Sequence, residues 1–387
     1  MKSVLALGIL AALAAASTSA QSVQITGFGQ MVAGSVIDGT RSPTTGERSF
    51  PGTGYDSDWD FKDESLFAVQ IRGDLNDQWS ATAQIVARGR EDFDPEFAWA
   101  YVGWNGGKGL SAKFGRQRIP LFRYSDFLEV GYAYPWLRPP HAVYNFQFSN
   151  YDGASLAYTF GTGSWFSTVS VIGGKHESTI TLSGQPADQE LNSLVGGSFE
   201  TVYNDWLTLR AGYYQAEVVI DAQALNPLFA TLRTNGFGNV ARAIDFNDDG
   251  SFVGFGAEIN HGNWLVISEF TKVQIDDSYY TDKDQFYITG GYRFGAWTPS
   301  FTYGTRDADA KTEIIGLLPN VAPLAPLRAA VSQVVFSDDL DAEYMSFGLR
   351  WDVSTNVALK ADYTQYENKG PAAAEADSIA AGVVFTF

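Results

Sequence analysis

One stretch concentrates side chains of opposite charge. Arg116–Tyr144, RQRIPLFRYSDFLEVGYAYPWLRPPHAVY, carries Arg116, Arg118, Arg123, Asp126, Glu129, Arg138 and His141 among many aromatic residues. Inside a water-filled narrowing, carboxylates facing guanidinium groups create a transverse field that orients polar solutes and sets ion preference. An irregular segment as long as 119–149 in a compact chain usually has a functional reason. The expectation is a constriction loop over 119–149, in which Asp126 and Glu129 oppose a basic wall and Arg116, Arg118, Arg123 and Arg138 stand beside them. An external cap is the plainer alternative for the same residues.

Other chemistries find little support. The histidines are His141, His176 and His261, and no motif pairs any of them with a serine nucleophile. Gly-rich phosphate loops, HExxH and zinc spacings are absent, so no enzyme and no cofactor are expected. Asp245–Gly250, DFNDDG, opens like a calcium loop through Asp245, Asn247 and Asp249. Gly256 stands where the closing bidentate Glu belongs, so a carboxylate-rich external turn is the stronger reading. Without cysteine, neither disulfides nor thiolate metal sites contribute. A formal charge of -18 argues against a nucleic-acid partner, which requires a basic face.

The elements that must position the charged loop are strands. From Val23 onward the chain repeats roughly ten residues of alternation, a tight polar turn, ten more of alternation and a longer irregular stretch, giving about 16 strands. Tight turns fall near Asn76-Asp77-Gln78, Asn105-Gly106-Gly107, Gly161-Thr162-Gly163, Asn204-Asp205, His261-Gly262-Asn263, Phe294-Gly295-Ala296 and Ser354-Thr355-Asn356, with the Gly, Asn and Asp chemistry of hairpins. Long connections are expected at 38–63, 119–149, 176–190, 221–249 and 307–340. Short turns at one end and long loops at the other are the sidedness of an all-β, transmembrane antiparallel barrel with short periplasmic turns and long extracellular loops.

Face chemistry agrees. Met345, Phe347, Leu349 and Trp351 alternate with Ser346, Gly348 and Arg350, and Leu207, Leu209 and Ala211 alternate with Thr208 and Arg210. Large apolar groups suit acyl chains and the polar set suits a wet lumen. By this parity Arg72, Arg88, Arg90, Arg210, Arg293, Arg306, Arg350 and Lys360 line the pore. Trp79, Trp104, Trp165, Trp206, Trp264, Trp297 and Trp351 lie beside the short turns, where an interfacial aromatic girdle belongs.

The ends complete the pattern. Met1-Lys2, an apolar run from Val4 to Ala16 and the small residues STSA read as a secretory signal peptide over 1–20, cleaved after Ala20. Residues 21–387 are then a single barrel domain in the bacterial outer membrane. Unpaired backbone groups are not tolerated in hydrocarbon, so SIAAGVVFTF, ending at Phe387, must pair with VQITGFGQMVAGSV to close the ring. Phe387 is assigned to that closure.

The opening strand VQITGFGQMVAGSV, the GRQ at Gly115–Gln117 that leads into a long loop, and the last strand ending in Phe387 together resemble the Gram-negative general porin family. That resemblance implies a third external loop folded back into the barrel, three associated barrels, and passive diffusion of small hydrophilic solutes and ions across a membrane of lipid and lipopolysaccharide. Two positions depart from the family pattern: Ala68 and Ala98 stand about where members place constriction arginines, leaving Arg88 and Arg90 as substitutes. The alternatives are a substrate-selective anion or sugar channel with a site at Arg123, Arg138 and Tyr144, or a non-conducting structural or adhesive barrel.

Overall fold

The computed structural model describes residues 22–42, 46–145, 148–182, 185–370 and 373–387. The expected signal peptide lies outside the described residues. Sixteen antiparallel strands form one closed barrel, each paired with its sequence neighbours. They are β1 (Ser22–Gly39), β2 (Leu66–Asp74), β3 (Trp79–Arg88), β4 (Pro95–Gly107), β5 (Leu110–Arg118), β6 (Asn150–Thr162), β7 (Trp165–Leu182) and β8 (Gln185–Tyr203). The second half comprises β9 (Leu207–Asp221), β10 (Asn247–His261), β11 (Trp264–Ile275), β12 (Lys283–Tyr292), β13 (Trp297–Ala308), β14 (Leu340–Ser354), β15 (Val357–Asn368) and β16 (Ala374–Thr386).

Alternation sorts the side chains as the sequence requires. Met31, Phe67, Phe114, Leu156, Phe199, Phe255, Ile288, Phe347 and Leu349 are exposed on the outside, the face that meets lipid. Thr82, Gln84, Thr271, Gln285, Thr289, Thr302 and Lys360 are buried in the interior. At the short-turn rim the aromatic residues meet in cross-strand register: Trp79 opposite Trp104, Trp165 opposite Tyr203, Trp264 opposite Tyr292, and Trp297 opposite Trp351. The last pair stacks with centroids 4.9 Å apart. Side-by-side rings at one level form a continuous belt where an amphipathic group has an apolar and a wet neighbour.

The seam joins β1 and β16, with Phe28 opposite Thr386. Gly27 and Phe387 exchange backbone bonds, Gly27 N–H to the Phe387 carbonyl at 2.8 Å and Phe387 N–H to the Gly27 carbonyl at 2.9 Å. The Phe387 ring lies directly over Gly27, where a Cβ would come within 2.2 Å of Cζ. A side chain at this position would have to push the terminal ring aside.

At the opposite rim, the long connections differ in character. Where an irregular stretch is expected at 176–190, residues 176–182 and 185–190 extend the ladder instead: β7 and β8 run 18 and 19 residues and pair from His176 opposite Leu191 to Leu182 opposite Gln185. The β-branched run Thr179–Thr181 favours strand, and the pairing simply continues past the apolar band. The 222–246 and 309–339 connections contain helices: α1 (Asn226–Thr234), α2 (Gly238–Ala243), α3 (Glu313–Gly316) and α4 (Ala325–Val335). Pro lies in the first turn of α1 and of α4, where its missing N–H costs nothing. Phe229, Leu232, Val240, Ile314, Val331 and Val335 give this cap its own core. Arg328 fastens α4 to α3 by donating to the carbonyls of Ile315 at 2.7 Å and Leu318 at 2.6 Å.

Candidate pore constriction

Residues 119–145 fold into the barrel, and the sequence dictates where they stick. Ile119, Leu121, Phe122, Tyr124, Tyr134, Trp136 and Val143 pack against Tyr214, Phe252, Leu265, Ile267 and Tyr287 of the inner wall. Leu137 and Ala142 pack against Val32, Val36, Tyr344, Tyr366 and Ala380 near the seam. Apolar surface is removed from water on two sides of the lumen at once, so the segment spans the barrel instead of lining one wall.

Polar bonds fix its path. Tyr214 donates to the Pro120 carbonyl at 2.8 Å and Arg210 donates to the same oxygen. Trp136 Nε1 donates to Thr289 at 2.9 Å and Thr302 at 3.1 Å, and the Leu137 N–H donates to Asp362 at 3.0 Å. Lys360 Nζ is caged by the carbonyls of Gly131, Tyr134 and Trp136. Arg350 donates to the carbonyls of Tyr132 at 2.7 Å and Tyr134 at 3.0 Å. Tyr132 reaches the Thr355 carbonyl at 2.8 Å, at the short-turn rim. Gly131 comes so close to β1 and β16 that a Cβ there would lie 2.3 Å from Gln30 Oε1 and 3.1 Å from Val384.

Two electrostatic clusters result. In the first, Glu129 bridges Arg88 of β3 and Arg118 of β5, the latter at 2.6 Å, while Arg88 also holds Glu91 and Glu96. Burial alone would raise the Glu129 carboxyl, but Arg118 and Arg88 hold it below the usual carboxylate range. In the second, Arg123 faces Glu258 at 3.5 Å and Glu200 at 3.7 Å, and Arg210 faces Glu200 at 3.8 Å. Glu269 accepts the Arg123 N–H at 2.7 Å, the Tyr287 hydroxyl at 2.8 Å and the Tyr144 hydroxyl. Tyr124 donates to Glu258 at 2.9 Å. This side of the wall is therefore acidic, with the loop supplying the cation, the reverse of a uniformly basic wall.

Several expected positions move. Arg116 does not join the loop: it pairs with Asp152 at 2.7 Å, on the ladder row that carries Ala100 and Lys175, sharing strand parity with exposed Phe114. Arg90 is not a wall residue, because β3 ends at Arg88 and Arg90 lies exposed in the turn Gly89–Glu91. Arg293 follows the end of β12 and donates to Asn260 at 2.8 Å at the short-turn rim. Arg72 is bound to Asp74 near that same rim. Lys360 faces inward and spends its donors on the loop, and inward Arg350 divides its donors between the loop carbonyls and Asp352 at 2.7 Å. Arg138 is partly buried, with Glu64 at 3.2 Å and the rings of Tyr55 and Phe50 under its guanidinium. Asp126 is exposed and makes no hydrogen bond or ion pair among the described residues. The side chain of Arg306 likewise has no hydrogen-bond or ion-pair partner among the described residues, and its Nε is buried.

The departures at Ala68 and Ala98 have a packing explanation. Both are buried with Phe28, Leu66 and Val86, and Val130 of the loop packs on this patch. An arginine at either position would displace the loop's apolar seat. As for calcium, Asn247 and Asp249 are ladder residues of β10, opposite Val219 and Glu217. Among the described residues no group of metal-ligating side chains gathers there or elsewhere. The acidic wall of Glu200, Glu258 and Glu269, and Glu64 and Asp362 behind the loop, were not anticipated. Strand parity was the available signal, since Glu200 is two residues from inward Ser198 and Glu258 two from Gly256.

The profile of the Gram-negative porin family matches residues 5–371. No curated protein sequence matches the chain. Among solved structures, the outer membrane channel DcaP of Acinetobacter baumannii is similar at TM-score 0.59 and 11% identity, covering 95% of this chain and 97% of that one. OmpF of Salmonella typhi, solved in complex with daunomycin, is similar at TM-score 0.57 and 12% identity, with 96% and 99% covered. OmpT of Vibrio cholerae in a trimer form gives 0.51 and 12%, with 95% and 99% covered. At these identities the solved structures speak for the shared barrel fold, and the family profile speaks for kinship. A closed sixteen-stranded cylinder with an oily exterior, a polar interior and an inward loop is thus matched over nearly its whole length, and the chain belongs to the Gram-negative porin family, an outer-membrane channel for passive diffusion.

Proposed function

We propose that the passage admits small hydrophilic solutes and ions through a narrow, charge-segregated constriction formed by the 119–149 loop. The observation that carries this reading is the attachment of one loop to opposite sides of the lumen, with Glu129 set in arginines on one side and Arg123 set in glutamates on the other. Asp126 is the loop carboxylate left open to solvent and adds its negative charge to the passage. Arg72, Arg210 and Arg306 contribute to the field from the wall, whereas Arg350 and Lys360 act as fasteners. A discrete anion or sugar site at Arg123, Arg138 and Tyr144 is disfavoured because each already engages a carboxylate: Glu258, Glu64 and Glu269.

The functional form is a homotrimer in a membrane of phospholipid and lipopolysaccharide, exported by a leader removed after Ala20. Planar-bilayer recordings with ions of graded radius test the channel reading. Stepwise conductance that falls with ion size is expected. Silent bilayers, together with liposomes that do not swell in small sugars, would leave a structural barrel instead.

A further inference from the structure

The wall between the loop and the helical cap is not what passage of hydrophilic solutes calls for. A cavity of about 710 Å³ lies there, bounded by α1 and α4 above and by Ile119 and Leu121 below. Its volume falls in the range of roughly 300–1,000 Å³ that small-molecule sites occupy. Leu191, Leu194, Val218, Phe252, Val273 and Ile275 line its sides. A polar lumen is the norm for such barrels, because water wets it; this one turns aliphatic and aromatic carbon toward the entering solute.

Its charged groups are few and unequal. Lys283 donates to Asp338 at 2.7 Å and rests on the Tyr280 ring at 3.7 Å from the centroid. Asp338 also accepts the Thr281 hydroxyl at 2.8 Å, so that pair is internally compensated. Asp245 precedes β10 at the outer end, where its carboxylate accepts the Phe246 N–H at 3.0 Å. Arg306 lies deeper, on the ladder row of Gln285 and Ala342, with a buried unpartnered Nε and no carboxylate partner among the described residues. The cavity is apolar along its length, acidic outside and cationic inside.

We infer that this cavity binds a monovalent organic acid with an aromatic or alkyl body. Its anionic head lies on Arg306, and its apolar body lies along Phe252 and Val218 toward α1 and α4. Asp245 repels the head from the outer end and so sets the direction. The site goes beyond the diffusion reading and does not require conduction.

Equilibrium dialysis of radiolabelled 4-phenylbutanoate against the detergent-solubilised full-length protein tests it. Saturable binding at one site per chain is expected, at least tenfold tighter than for acetate, which lacks the body, or 4-phenylbutan-1-ol, which lacks the charge. Arg306→Gln should weaken it at least fivefold. Ala330→Trp, which fills the cavity from α4, should weaken it independently. Equal binding of the acid and the alcohol, or unchanged binding in both variants, would overturn the assignment. Potassium chloride currents from the same preparation report on the channel separately: absent current with intact binding would remove the diffusion reading and leave this one standing.

Discussion

Glu129 shows how much one side chain can decide. Its carboxylate compensates two arginines at once, Arg88 and Arg118, in a nearly buried setting. Glu129→Gln would leave Arg118 without its carboxylate and Arg88 with only Glu91 and Glu96, and the reversal potential in a salt gradient should move toward anion preference by more than for Asp126→Asn, whose carboxylate has no partner to release. An unchanged reversal potential in both variants would place the conducting path elsewhere. His141 carries the second residue-scale expectation. Burial, then Arg306, Arg138 and Arg90, push its imidazole down to about 3. Tyr344 contacts its Nδ1 at 3.2 Å. The folded protein therefore leaves His141 neutral where an unfolded chain would take up a proton, so this contribution is complete above the ordinary histidine range and declines as pH falls from about 6.5 toward 3. Thermal melts of the reconstituted protein should lose stability across that window, and His141→Gln should flatten part of the loss. A melt profile identical in both would exclude His141 as a source.

At the scale of elements, the loop is fastened before it is functional. Lys360 donates to three loop carbonyls, so Lys360→Met leaves those of Gly131 and Trp136 without their charged donor and that of Tyr134 with Arg350 alone. The expected cost is about 1.5–3 kcal/mol per lost charged bond, offset in part by the apolar replacement. Limited proteolysis between 119 and 149 should accelerate and single-channel noise should rise. Wild-type cleavage rates would show that apolar packing alone holds the loop. The same scale explains what was legible beforehand. Period-two alternation and Gly/Asn turns gave away the strands, because each is local chemistry. The loop's path was not legible, since it depends on which wall residues it meets: Arg123 looked like part of a basic set until Glu200, Glu258 and Glu269 were brought opposite it from three different strands. Arg90 misled because parity continues on paper past Arg88, where the ladder stops. Residues 176–190 misled in the other direction, since polar β-branched strand resembles loop once it leaves the apolar band.

For the whole molecule, closure is the governing event. A ring of strands has no edge only if β16 meets β1, and Phe387 over Gly27 is where that meeting ends. Removing Phe387, or introducing Gly27→Val, should lower the yield of folded, heat-resistant oligomer while leaving the unit conductance of the molecules that do assemble near normal. Full oligomer yield from both variants would show that the remaining ladder suffices. The barrel class and its sidedness were readable from the sequence for this reason: closure imposes alternation and turn chemistry on every strand, so the signal is repeated around the circumference.

Gly131, pressed against Gln30 and Val384, gives the joint a second fastening. The segment that lies across the interior thus also rivets the first strand to the last from inside. Ring completion and seating of that segment are coupled: an unseated segment leaves the joint held from one side only, and an unmade joint denies the segment half its footing. Insertion intermediates should accordingly be either leaky and unsealed or finished, with little in between.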